Sequence, residues 1–227
     1  MSGVVTLFLG SWALLIGLVV LVVVLVRLGS KQRQDVLQWA VAHGWAVVQR
    51  PDVRWSNLLP GGYRHGISVL LHRTIAGRSV CVAEYAHSNH DLINPQGSGQ
   101  NNRYVVAWVG LAGNCPAVEV ERVGRLDWID RLDPVQWLDE RYVGAPRPIP
   151  TGYAEFDDRF LVLARDPADV HATVGPALRQ AHLAEEVPPW RAAGPDLVTW
   201  RPVPFLDPKI VIDLVNGLTR VADLLGR

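Results

Sequence analysis

Between Val4 and Val26 the chain carries no charged side chain, and this run constrains the molecule more than anything that follows it. As a helix rising 1.5 Å per residue it spans about 34 Å, slightly more than the ~30 Å hydrocarbon core of a bilayer. Leu, Ile, Val and Phe dominate it, each worth roughly −0.3 to −0.6 kcal/mol on insertion, so the sum favours lipid over water. The run predicts a transmembrane helix within residues 1–29 and a soluble domain over 30–227. A cleaved signal peptide would need a basic start, a shorter apolar stretch and a small-residue cleavage site, none of which is present.

Arg27, Lys31 and Arg33 follow the run, and no charged side chain precedes it. The positive-inside rule then places the N-terminus outside the cell membrane and the large domain in the cytoplasm. The same three basic residues, with Arg50 and Arg54, could touch anionic headgroups, although such residues more often only set topology. Within the span Gly3, Thr6, Gly10, Ala13 and Gly17 recur at alternating spacings of three and four. That places them on one helical stripe, the kind of face that lets a protein partner or a second copy approach closely.

The remaining chain is long enough for one domain with a true core. Its 22 basic and 22 acidic side chains cancel, so no long-range field draws it toward nucleic acid. Two cysteines, Cys81 and Cys115, do not make a disulfide framework, although one bridge between them is allowed. Cys81, within Val80-Cys81-Val82-Ala83, reads as a small buried hydrophobe.

Apolar positions Val36, Leu37, Ala40 and Val41 predict a helix over Ser30 to His43 that ends at Gly44. Strands are expected at Trp45 to Gln49, Gly66 to Arg73, Arg78 to Ala86, Arg103 to Leu111 and Ala117 to Arg122, with a hairpin turn over Thr74 to Gly77. His87 to Asn102 is polar and aperiodic and reads as a long loop. Val143 to Thr151, with Pro146, Pro148 and Pro150, reads as an extended connector that blocks regular pairing and could separate two parts of the domain. Asp133-Pro134, Asp166-Pro167 and Asp207-Pro208 mark helix starts, because Asp caps free N–H groups while Pro occupies the first turn. Phe160 to Ala164 and Leu197 to Arg201 read as strands. Gly175-Pro176 divides a helix, and Ile210, Leu214, Leu218, Val221 and Leu225 form the apolar face of a terminal one. The order is α+β: a mainly antiparallel sheet covered by helices. Trp39, Trp45, Trp108, Trp128, Trp137 and Trp200 are expected to pack in the core.

Candidate chemistry is sparse. His87, His90 and Asp91 form the one cluster that suggests a metal ligand set, yet a structural zinc site wants four ligands and a catalytic one three with an open position. Glu84 and the pair Asp157-Asp158 beside Arg159 are acid/base candidates, with surface ion pairs as the plainer alternative. Gly61-Gly62 and Gly97-Ser98-Gly99 lack the Lys-Ser/Thr that completes a phosphate loop, and no nucleophile elbow or His-Glu-x-x-His occurs.

Trp39 to Trp45, Gly77-Arg78 leading into Val82-Ala83-Glu84-Tyr85, and Arg103 to Val109 leading to Pro116-Ala117-Val118-Glu119-Val120 together resemble an uncharacterised actinobacterial family of single-span membrane-anchored proteins. The resemblance resumes over Phe156 to Pro167, Leu197 to Pro202, Leu206-Asp207-Pro208 and Val221-Ala222-Asp223. It implies one span and one soluble domain, with no activity, substrate or cofactor; the segment His87 to His90 departs from it. The leading expectation is a membrane-tethered binding or scaffolding module. A metal-dependent hydrolase using His87, His90 and Asp91, or a ligand- or lipid-binding sensor domain, stands as the alternative.

Overall fold

Polar runs and turns cut the chain into β-forming segments, the first four of which pair in sequence. In the computed structural model, which describes residues 33–59, 66–88, 101–123, 146–203 and 206–226, helix α1 covers residues 33–42. It closes in a Schellman turn: Trp45 N–H reaches the Ala40 carbonyl, Gly44 N–H reaches that of Val41, and Gly44 takes φ +77°. Glycine is what permits that left-handed residue. Strand β1 (Ala46–Gln49) follows, then a 3₁₀ turn over Arg54–Leu58.

Strands β2 (Ile67–Ile75) and β3 (Arg78–Ser88) form a hairpin whose two loop residues, Ala76 and Gly77, both have positive φ. That is the turn whose twist matches its strands. Strand β4 (Asn101–Arg122) runs antiparallel to β3. The two strands expected at Arg103 to Leu111 and Ala117 to Arg122 are therefore one, and Ala112-Gly113-Asn114-Cys115-Pro116 is a bulged bend inside it. From Gly110 to Val118 nine residues of β4 pass against five of β7, Asp196 to Ala192. The buried positions accordingly switch from odd (Val105, Ala107, Val109) to even (Val118, Val120). Strand β7 (Trp190–Pro202) bends opposite this point at Gly194, φ +60°, and Pro195. It is longer than the expected Leu197 to Arg201.

The Pro-rich connector, from Pro146 onward, does contribute a strand. β5 (Arg147–Pro148) pairs at the sheet's edge with β6 (Phe160–Ala164), a place where a proline's missing N–H breaks no ladder. Val118 to Val120 pair with both β6 and β7, and Val105 with both β3 and β7. Thus β3 and β6 lie end to end along one edge of β4, and β7 occupies the other.

Short helix α2 (Ala154–Asp157) precedes β6; α3 (Pro167–Thr173) and α4 (Pro176–Leu183) follow it, divided at Gly175-Pro176. Helix α5 (Pro208–Leu224) closes the described chain. Asp166 and Asp207 cap α3 and α5 as expected: their carboxylates accept from Ala168 N–H at 2.8 Å and from Lys209 N–H at 2.8 Å. Asp133-Pro134 lies outside the described residues.

The architecture is α+β, an antiparallel sheet covered by helices. One face packs Val82, Val105, Ala107 and Val120 against Val170, Leu178, Leu214 and Leu218. The other face is aromatic: Trp55, Tyr85, Tyr104, Trp108 and Trp200 are buried with Leu58 and Leu59 from the 3₁₀ segment. Cys81 belongs to this second face and Cys115 to the first, so the sheet separates the two thiols and no disulfide joins them. Among the described residues no helix is long and apolar enough to cross a membrane; the run Val4 to Val26 lies outside them.

Candidate functional site

Helix α1 presents more apolar surface than the core can cover. Val36 and Ala40 are buried and Leu37 is half-buried, but Val41, one turn beyond Leu37, is 62% exposed. Strand β1 is the sheet's outermost strand on that side. Between α1 and β1 runs an open groove of about 480 Å³, lined by Leu37, Gln38, Val41, Ala42 and Val47. Its walls are almost wholly carbon and none of its side chains is titratable. It can bind apolar matter, but it holds no acid, base or nucleophile.

On α1, Arg33 lies 3.2 Å from Glu84 Oε2 and donates to Ser68 Oγ at 3.4 Å, while Ser68 donates to the same carboxylate at 3.1 Å. Arg33 and Glu84, expected as a membrane-flanking cation and an acid/base candidate, are therefore partners in one surface bridge. Arg54 reaches Asp196 at 3.5 Å. Asp157 accepts from Thr151 N–H, Thr151 Oγ1 and Gly152 N–H at 3.0, 2.8 and 3.1 Å, which makes it a brace for the loop entering α2.

Two buried polar arrangements went unseen in the sequence. Arg191 grips Glu119 through two bonds, Nε to Oε2 at 3.0 Å and Nη2 to Oε1 at 2.7 Å. Its remaining Nη1 donates to the Leu58 carbonyl at 2.7 Å, and the guanidinium lies over Trp200. These side chains are 4% and 1% exposed. The signal lay in Arg191, a cation inside a mostly uncharged run from Pro188 to Pro195.

On the helix side, His182 is fully buried between Phe156 and Phe160, and Trp190 Nε1–H donates to its Nε2 at 3.0 Å. Nε2 is thereby the acceptor and Nδ1 carries the proton, with no acceptor for it. Burial, with the Arg122 charge adding to it, lowers this imidazole to about 4. Both arrangements are buried among the described residues.

His87 is placed by its backbone on β3, paired with Asn102 of β4; His90 and Asp91 lie outside the described residues. Among the described residues no group of three His, Cys, Asp or Glu side chains converges as metal ligands would. Gly3, Thr6, Gly10, Ala13, Gly17, Arg27 and Lys31 also lie outside them.

No protein-family model matches the chain. No curated protein sequence matches it either. Among solved structures, the fold is similar to that in the crystal structure of the mycobacterial trehalose monomycolate transport factor A, TtfA, with a TM-score of 0.55 and 12% sequence identity over 86% of this chain and 93% of that one. At that identity the likeness is one of fold.

Proposed function

We propose that this chain is a single-pass membrane-anchored protein whose domain, on the cytoplasmic side, acts as a binding or scaffolding module without chemistry of its own. The observation that carries the reading is the uncharged run Val4 to Val26, which ends seven residues before Arg33, the first described residue of α1. Two features support it. The polar clusters that are described serve as struts within the fold, and the open groove is apolar. The fold is similar to that of TtfA, a trehalose monomycolate transport factor, which is in keeping with a transport or scaffolding role.

The test is fractionation of the full chain followed by crosslinking in intact membranes. The protein should sediment with membranes, resist alkaline carbonate and be released by detergent, and protease should reach the domain only from the cytoplasmic side. Crosslinking should trap a defined complex that Gly10→Leu with Gly17→Leu weakens, since small residues on that stripe allow close helix approach. A chain that is soluble without detergent would sink the anchored reading. A chain that is membrane-bound but only ever monomeric would sink the scaffolding one.

A further inference from the structure

The groove between α1 and β1 is an apolar surface on the part of the domain closest in sequence to the anchoring run. Six residues separate Val26 from Arg33, a tether that reaches at most ~25 Å even when fully extended. From Arg33 to Val41 the helix rises only about 12 Å more. Val41, 62% exposed, is thus held within about 37 Å of the end of that run. Arg27 and Lys31 lie on the tether and Arg50 is exposed at the end of β1, whereas the groove lining is uncharged. An uncharged apolar patch on a domain joined to the anchoring run through Arg27 and Lys31, with Arg50 exposed beyond β1, suits an anionic leaflet.

We propose that this groove seats on the membrane itself, with Leu37, Val41, Ala42 and Val47 taking up phospholipid acyl chain, so that the domain is docked on the leaflet rather than hanging from it. The inference rests on the anchored reading above. It assigns α1 two jobs: Val36 and Ala40 hold the sheet, and Val41 holds the lipid.

The test uses the full chain in vesicles of mixed zwitterionic and anionic phospholipid, with a nitroxide at V41C, or at I212C on the exposed face of α5 as a reference. Both native thiols are buried and burial pushes that of Cys81 up to about 12, so the introduced cysteine takes the label. The Val41 nitroxide should be several-fold more accessible to oxygen, relative to a water-soluble nickel complex, than the Ile212 one. In a second variant a label at Q38C should lose its oxygen preference when Val41→Asp is added, while the chain still floats with the vesicles. Equal, aqueous accessibility at positions 41 and 212 in a floating chain overturns the docking and leaves the anchor intact. Spin–spin broadening between Val41 labels overturns it in favour of a second copy in the groove. Failure of the unsubstituted chain to float overturns both readings.

Discussion

Arg191 and Glu119 carry charge into the sheet's aromatic face, and each is tolerated there because the other neutralises it and the guanidinium's spare donor meets the Leu58 carbonyl. Such a pair adds little net stability, yet removing one partner strands the other, a loss of about 3–5 kcal/mol. Arg191→Met should therefore lower the urea midpoint of the detergent-held chain sharply, and adding Glu119→Leu should recover most of the loss. A double variant no better than the single would contradict this account. His182 behaves differently because it is buried neutral. Above its unfolded value of 6.5 both states are uncharged; as pH falls from there toward its folded value of about 4, the unfolded chain takes up a proton that the native one refuses. Stability is thus fully present above 6.5, declines across that window and levels off below it, by about 3 kcal/mol in all. His182→Gln keeps an acceptor for Trp190 and removes the titration. Urea midpoints measured across the window should slope for the parent and stay flatter for the variant; parallel profiles would refute the assignment.

At the scale of elements, α5 shows how a local preference yields to packing. Gly217 sits inside the helix, where Ala is normally better by about 1 kcal/mol. A Cβ there would stand 2.7 Å from Pro188 Cδ, part of a ring that cannot rotate away. Gly217→Ala should lower the melting temperature, whereas Asn216→Ala on the exposed side should raise it slightly. If both rise, the close approach of α5 to Pro188 is not tight. Removing the α5 cap by Asp207→Ala should cost about 1 kcal/mol in the same melting experiment. Elements with their own punctuation were legible beforehand: the caps Asp166 and Asp207, Gly44, the Ala76-Gly77 hairpin and the divide at Gly175-Pro176 each act within a few residues. What escaped depends on distant partners. The segment Ala112 to Pro116 looks like a turn until β7 bends beside it, and Trp190 to Gly194 looks irregular until β4 pairs with it. Glu119 looks solvated until Leu58 and Trp200 cover it. The α1 stripe was visible, but only the structure separates the residues it buries from Val41, which it leaves out.

Across the whole molecule, β4 belongs to every part of the sheet. Its first half pairs with β3 and its last five residues with β6, while β7 follows it along both. Neither end has a core that closes without it, so the domain should unfold in a single transition, with far-ultraviolet circular dichroism and tryptophan fluorescence superimposing. Two separated transitions would mean that the Pro-rich stretch around residue 146 divides the domain in energy as well as in sequence. The lateness of β7 has a consequence during synthesis. A nascent polypeptide exposes β4, twenty-two residues long, well before the ribosome has made the strand that covers its far side. For that interval a bare, valine-rich margin is open to neighbouring chains on the same polysome, the situation in which unpaired strands aggregate. Production of this protein should therefore depend on chaperone supply and slow translation more than its finished stability would suggest.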